Sequence, residues 1–134
     1  MTKTGDIVDL PENFREEKKT LQLLGINSWS KLKDLEDYEI FKIVKSSLST
    51  SRNLKRLRCI AMFIYELEVS QEDAALLMHS GVSSIKSLAE LTPHELLKRM
   101  GRLTRILNIP QERSLNLKKT NYLIQKAKNR QINN

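Results

Sequence analysis

The chain has 134 residues, of which 40% are hydrophobic and 29% charged, and it carries a net charge of +7. This length suits one compact domain or two small helical ones, and the positive charge favours anionic partners such as nucleic acid. The single cysteine excludes an internal disulfide, and no apolar run approaches the roughly 18 residues of a membrane span. The acidic N-terminus lacks the apolar segment of a secretory signal, so we expect a cytoplasmic protein.

Three helices are predicted in the first part of the chain. The first runs from about residue 12 to residue 24 and ends at Gly25, because glycine adopts the left-handed conformation past a helix end at no steric cost. Ser28 then caps a short helix, and a third helix spans about residues 37–45. The apolar residues that the second and third helices carry are Trp29, Leu32, Leu35, Ile40, Phe41, Ile43 and Val44.

A hydroxyl-rich segment, residues 46–51, interrupts this pattern and predicts a boundary between two halves of the chain. A strong helix of about residues 52–66 follows. Its apolar residues form a broad arc that is typical of a central core helix. They are Leu54, Leu57, Ile60, Ala61, Ile64 and Leu67.

The next two helices begin with clear capping signals. Ser70 can cap a helix that ends at Gly81. Thr92 is a second cap, Pro93 suits the first helical position, and Glu95 closes a capping box. The order of signals therefore predicts two further helix starts.

The C-terminal part is predicted from weaker signals. The helix that starts at Pro93 should reach about Leu107, with Gly101 as a break near its middle. A final helix spans about residues 111–128, and residues 129–134 are expected to fray. Since no alternating strand pattern occurs anywhere, we predict an all-α protein of short helices joined by glycine turns.

The chain repeats itself. Residues 25–35 reappear 56 positions later as residues 81–91, with a glycine, an apolar residue, a small polar residue and leucines at helical spacing. The repeat predicts two tandem units, residues 1–50 and 51–110, followed by a basic C-terminal helix or tail, residues 111–134. The tail could be a nucleic-acid arm, a contact for an anionic membrane or a soluble end.

The Gly-Ile/Val-x-Ser turns at 25–28 and 81–84 resemble those of the helix-hairpin-helix (SAM-like) class. Residues 79–107 also resemble the C-terminal domain of the bacterial RNA polymerase α subunit, with a Gly-Ile turn, a capped short helix, a Thr-led cap and a further glycine in the same order. A cyanobacterial and plastid family of unknown function is similar over residues 52–103. The stretches that carry this last similarity are NLKRLR at 53–58, AALLMHSG at 74–81 and SIKSLA at 84–89.

The resemblance to the helix-hairpin-helix class implies phosphate contacts at the turns. Modules of that class commonly bind DNA without sequence preference, through the N–H groups of a Gly-hydrophobic-Gly turn. The corresponding residues here are Gly25, Asn27, Gly81 and Ser83. Asn27 and Ser83 stand where the class has its second glycine, and their Cβ atoms crowd the approach of a phosphate. Hairpins that keep the fold without the ligand therefore stay an alternative.

Basic residues are clustered between Glu39 and Glu66, a stretch that contains no acidic residue. Cations at helical spacing near a helix start can hold phosphate, although a solvated helix face is the alternative. The candidates for phosphate contact are Lys42, Lys45, Arg52, Lys55, Arg56, Arg58, Lys98, Arg99, Arg102 and Arg105.

Catalytic motifs are missing from the sequence: there is no P-loop, no G-x-G-x-x-G, no nucleophile elbow and no carboxylate pair beside a base. His79 and His94 lack the spacing of metal ligands, so we expect no metal, no cofactor and no small-molecule substrate. We predict a non-catalytic module that contacts the phosphate backbone of duplex nucleic acid with low specificity. The alternative is a protein-interaction adaptor whose hairpins serve only packing.

Overall fold

Helices account for the secondary structure of the described residues, and no strand occurs among them, which confirms the all-α class. The structure is a computed structural model that describes residues 7, 10, 12–106 and 117–132, with the backbone alone at 12 and 103–106. A short 3-10 helix, Glu12–Phe14, comes first. The α-helices are α1 (Arg15–Leu23), α2 (Trp29–Lys33), α3 (Asp37–Lys45), α4 (Ser51–Leu67), α5 (Gln71–His79), α6 (Ile85–Ala89), α7 (Pro93–Ile106) and α8 (Leu117–Ile132).

Local signals in the sequence set most helix ends. Ser28 accepts a hydrogen bond from the N–H of Lys31, as an N-cap should, and α3 spans the predicted residues. Gly25 and Gly81 follow the ends of α1 and α5 with φ of +74° and +87°. Only glycine adopts these angles without strain, which explains why both helices end there.

Gly101 does not interrupt its helix. Gly101 lies inside α7, which continues unbroken from Pro93 to Ile106. Glycine costs a helix interior only about 0.5–1 kcal/mol relative to alanine. The neighbouring Leu96 and Met100 are fully buried, and burying one such side chain contributes about 1.5–3 kcal/mol. Burial therefore outweighs the local preference of this glycine.

Helices α5 and α6 begin and end 56 residues after α1 and α2, and α7 begins 56 residues after α3. Hydrogen bonds of the turns recur at the same interval. The N–H of Ile26 donates to the carbonyl of Leu21 at 2.9 Å, and that of Val82 donates to Leu77 at 3.1 Å. The sequence correspondence at this interval is thus accompanied by the same local backbone geometry.

The chain divides into two compact units, residues 1–65 and 66–134. The boundary predicted at 50/51 falls inside the first unit, because the core of that unit includes the apolar face of α4. Trp29, one of the apolar residues of the second predicted helix, is fully buried. The buried apolar residues of the first unit include Phe14, Leu21, Trp29, Leu32, Ile40, Ile43, Leu54, Leu57, Ile60, Ala61 and Phe63.

A buried carboxylate, Glu17, ties α1 to the start of α4. Its Oε2 accepts the N–H of Thr50 at 2.8 Å, and its Oε1 accepts Nδ2 of Asn53 at 3.2 Å. Thr50 in turn accepts the N–H of Asn53 through its hydroxyl at 3.1 Å. The first N–H groups of a helix lack partners within it, and the helix dipole favours negative charge there. Glu17 supplies both a hydrogen-bond acceptor and that charge.

The second unit contains α8 as an ordinary core element. This helix packs on α6 and α7, and its inner face buries Thr120, Leu123, Ile124 and Ala127. The prediction that residues from 129 onward fray was wrong up to Ile132, because the helix continues to that residue. The predicted start at residue 111 and the end of the preceding helix at Leu107 lie outside the described residues.

Candidate functional site

The two glycine turns use their N–H groups within the fold. Gly25 donates to the carbonyl of Gln22 at 3.2 Å, and Gly81 donates to that of Met78 at 3.1 Å. Together with the bonds from Ile26 and Val82, these form the Schellman motif, which satisfies the last carbonyls of a helix. The four N–H groups are therefore committed to capping. The other two turn candidates, Asn27 and Ser83, are exposed.

The outward side of α3 carries a stripe of aromatic and basic side chains. Tyr38, Phe41, Lys42 and Lys45 follow the i, i+3, i+4, i+7 spacing of one helix face, and all four are exposed. We call these four residues the α3 outer face. The tyrosine and phenylalanine are 62% and 59% exposed, whereas the opposite side of the helix buries Ile40 and Ile43.

Each lysine of the α3 outer face lies over one ring. The Nζ of Lys42 is 5.6 Å from the centroid of the Tyr38 ring, and that of Lys45 is 4.5 Å from the centroid of the Phe41 ring. Both distances are within the range of a cation–π contact. The rings therefore point toward solvent, and each has a cation beside it.

Carboxylates at the start of α3 are engaged by the protein. The side chain of Glu39 accepts the N–H of Glu36 at 3.0 Å. Asp37 pairs with Arg58, whose Nη1 lies 2.8 Å from its Oδ1. The hydrogen bond and charge of Arg58 hold the pKa of the Asp37 carboxyl below its usual value, and the charge of Lys55 acts in the same direction. The negative charge of Asp37 is therefore balanced mainly by Arg58, and the Glu39 carboxylate is held at the start of α3.

Arg58 has a structural role. Besides its pair with Asp37, its Nη1 donates to the carbonyl of Leu35 at 3.0 Å, so the guanidinium fixes the loop between α2 and α3. The other α4 cations differ: Arg52 and Lys55 are exposed, and Arg56 is half-buried. Of the six cations between residues 42 and 58, four are therefore fully presented to solvent: Lys42, Lys45, Arg52 and Lys55.

A second group of cations lies on α7, in the second unit. Lys98, Arg99 and Arg102 are exposed. Nη1 of Arg99 lies 3.8 Å from where a Cβ on Gly81 would stand, so this side chain reaches the turn between α5 and α6. The side chain of Arg105, the remaining candidate, lies outside the described residues. Helix α7 carries no Phe, Tyr or Trp residue beside these cations.

Most of the described C-terminal cations hold the second unit together. Nζ of Lys119 lies 2.8 Å from Asp73, and Nζ of Lys126 donates to the carbonyl of Leu67 at 2.9 Å. Arg130 pairs with Glu66. A cation at the end of α4 is favourable because the dipole leaves partial negative charge there. Lys118 and Lys128 remain exposed.

No group of three or more His, Cys, Asp or Glu side chains among the described residues could hold a metal ion, and none of their helices is long and apolar enough to cross a membrane. Burial raises the pKa of the Cys59 thiol to about 11, which keeps it protonated at neutral pH despite the opposing charge of Arg58.

Sequence reasoning missed two features of this region. Phe41 was grouped with the apolar residues of its helix, although its side chain is exposed. The spacing of Tyr38, Phe41, Lys42 and Lys45 was the available signal, because it places them all opposite Ile40 and Ile43. The buried position of Glu17 had no local signal.

Comparison with known proteins gives a family without an assigned function. No curated protein and no solved structure shows significant similarity to the chain. A family model described as "Domain of unknown function (DUF4332)" matches residues 11–130. Since this match covers far more than half of the 134 residues, the protein belongs to the DUF4332 family.

Proposed function

We propose that this protein is a non-catalytic module that binds the phosphate backbone of nucleic acid with little sequence preference. The observation that carries the proposal is the set of four exposed cations between residues 42 and 55, Lys42, Lys45, Arg52 and Lys55, near carboxylates that the protein itself engages. Each such cation can neutralise a phosphate and release its counterion, which is the main source of nonspecific affinity.

The fold adds support at the level of class. The turns, caps and helix starts that recur after 56 residues are what two tandem helix-hairpin-helix units would show. We include this arrangement in the proposal, together with the similarity to a cyanobacterial and plastid family. Because the N–H groups of Gly25 and Ile26 already cap α1, the phosphate contacts proposed here come from side chains.

Fluorescence anisotropy with labelled DNA and RNA at about 50 mM salt, the permissive end of the useful range, tests the proposal. We expect binding that weakens with salt by a log–log slope of about −0.9 per phosphate contact on duplex DNA. Replacing Arg52 and Lys55 with glutamine should weaken binding and flatten this slope.

The matched control removes the same charge elsewhere. Lys118→Gln with Lys128→Gln changes two exposed lysines of α8, so the net charge falls equally while the proposed contacts stay. Equal loss in both double variants would show that only net charge matters and would contradict a site on the first unit. Absence of any binding at this salt would refute the proposal.

A protein-interaction adaptor is the second candidate, and exposed leucines favour it. Leu23 at the end of α1 is 88% exposed, Leu24 beside it is 54% exposed and Leu48 is 79% exposed. An affinity pull-down from lysate, with and without nuclease, distinguishes the two candidates. An adaptor would retain a specific protein partner after nuclease treatment, whereas a nucleic-acid module would lose the nucleic acid and the proteins bound through it. We also propose a cytoplasmic location, which cell fractionation tests.

A further inference from the structure

We infer that the nucleic acid is single-stranded, and that Tyr38 and Phe41 stack on its bases. The inference rests on the proposed function and adds a substrate class to it. Its starting point is the α3 outer face, where two rings, each more than half exposed, stand three residues apart on one side of a helix. Residues at this spacing are neighbours, with Cβ atoms roughly 5–6 Å apart, so two rings can serve consecutive bases.

The lysines next to these rings complete the chemistry of a nucleotide site. Lys42 and Lys45 each lie one turn after a ring and over its face. A flexible ammonium can leave the ring when a base stacks there and bind the phosphate attached to that base. Ring and cation together match the two parts of a nucleotide that every sequence shares, which agrees with low sequence preference.

The choice of a single strand follows from access to the bases. In a duplex, each base face is covered by its neighbours, so exposed phosphates attract the lysines but the rings gain nothing. In a single strand, the base faces can stack on aromatic side chains, at about 1–3 kcal/mol per base, which corresponds to roughly 5- to 150-fold in affinity. An acidic protein surface would satisfy the lysines and leave the rings unused.

Two other exposed tyrosines also have a lysine nearby, but each of those lysines has a second partner. Tyr122 on α8 lies 5.1 Å from Nζ of Lys126, but that ammonium also donates to the carbonyl of Leu67. Tyr65 lies 5.4 Å from Nζ of Lys33, which pairs with Asp34. Among the described residues, by contrast, Lys42 and Lys45 have no carboxylate or carbonyl partner. Their charges are available to a ligand.

The experiment compares three labelled oligonucleotides of equal length with the full-length protein. They are oligodeoxythymidylate of about 12 nucleotides, within the range of known single-strand site sizes, a duplex, and an abasic strand that keeps the phosphates and lacks bases. We expect the thymidylate strand to bind at least about tenfold more tightly than the abasic strand, since two stacked bases are lost. It should also bind more tightly than the duplex.

Removing the rings should abolish the difference between the strands. Tyr38→Leu with Phe41→Leu should weaken binding of the thymidylate strand at least about tenfold and leave duplex and abasic affinities unchanged. The salt dependence, a slope of about −0.7 per phosphate on a single strand, should also stay the same. Leucine is a strong helix former, and circular dichroism verifies that helicity is kept. Tyr122→Leu is the matched control and should change nothing.

The outcomes separate this inference from the proposed function. Equal affinity for thymidylate and abasic strands, or binding unaffected by the double substitution, overturns base stacking while phosphate binding stands. Competition by polyglutamate as effective as that by thymidylate also overturns it, and would favour an acidic protein partner. No binding of any oligonucleotide overturns the proposed function and this inference with it.

Discussion

Three glycines of this chain occupy two different backbone conformations. Gly25 and Gly81 have positive φ, whereas Gly101 lies in the interior of α7. A Cβ on Gly25 or Gly101 would meet nothing within 4 Å, and one on Gly81 would make only an ordinary contact with Arg99. Backbone conformation, and not space, therefore decides what a side chain would do at each position.

Alanine substitutions at these glycines should have opposite effects. Gly25→Ala and Gly81→Ala should each destabilise the protein by about 1–2 kcal/mol, because an L-residue is strained in the left-handed region. Gly101→Ala should instead stabilise it by about 0.5–1 kcal/mol. Thermal and urea melts measure the differences. Equal effects at all three positions would contradict the turn geometry.

Glu17 has a structural role that no local sequence pattern indicates: it is buried and joins α1 to the start of α4. We expect Glu17→Ala to lower the free energy of unfolding by about 1–3 kcal/mol, because it removes the carboxylate that accepts hydrogen bonds from the N–H of Thr50 and from Nδ2 of Asn53. The neighbouring Glu16→Ala is the control. Its ion pair with Arg15 is exposed, and such a pair contributes about 0–1 kcal/mol. Similar urea midpoints for the two variants would count against the proposed tie between α1 and α4.

At the scale of elements, α3 and α8 differ in what their basic side chains contact. The α3 outer face presents both aromatic rings and cations to solvent, while Ile40 and Ile43 fix the helix to the core. Helix α8 uses its apolar face for packing and three of its cations for contacts inside the second unit. The cations of the α3 outer face therefore lie at the surface, whereas most of the described cations of α8 contact other residues of the second unit.

The packing of α8 predicts that its core face is essential for the second unit. Leu123→Ala should destabilise the protein by about 2–5 kcal/mol, since the side chain is fully buried. Gln125→Ala, two residues along on the exposed side, should change stability by less than about 0.5 kcal/mol. Chemical denaturation followed by circular dichroism measures both. A silent Leu123→Ala would mean that α8 contributes little to the core of the second unit.

At the scale of the whole molecule, the division after residue 65 assigns most of α4 to the first unit. The fold therefore divides the chain later than the sequence predicted, since the predicted boundary lies at 50/51. A first unit without α4 would lack the buried side chains of Leu54, Leu57 and Ile60, and a chain of about 50 residues rarely buries enough surface without such a helix.

Fragments of the chain test this assignment. Residues 1–67, which include all of α4, should be helical and unfold cooperatively on heating, whereas residues 1–50 should be mostly unfolded. Circular dichroism and thermal melts of the two fragments provide the comparison. If the shorter fragment folds cooperatively, then α4 is dispensable for the first unit and the predicted boundary at 50/51 describes it better.

Helix starts and ends could be predicted because their causes are local. Ser28 and Thr92 bond N–H groups three residues away, and the two positive-φ glycines act at their own positions. Such signals depend only on residues close by in the chain, so they can be recognised without knowledge of the fold. The all-α class followed from them. Gly101 shows their limit, because burial of adjacent residues overrode its local preference.

The sequence by itself determined the helices, the turns and the presence of clustered positive charge. Only the tertiary structure decided which cations reach solvent: Arg58 is fixed by Leu35 and Asp37, while Lys42 and Lys45 stay exposed. It also decided that Glu17 is buried beside Thr50, 33 residues further along the chain. The physical reason is that these contacts join residues distant in sequence, and burial and pairing of a charge depend on neighbours that only folding brings together.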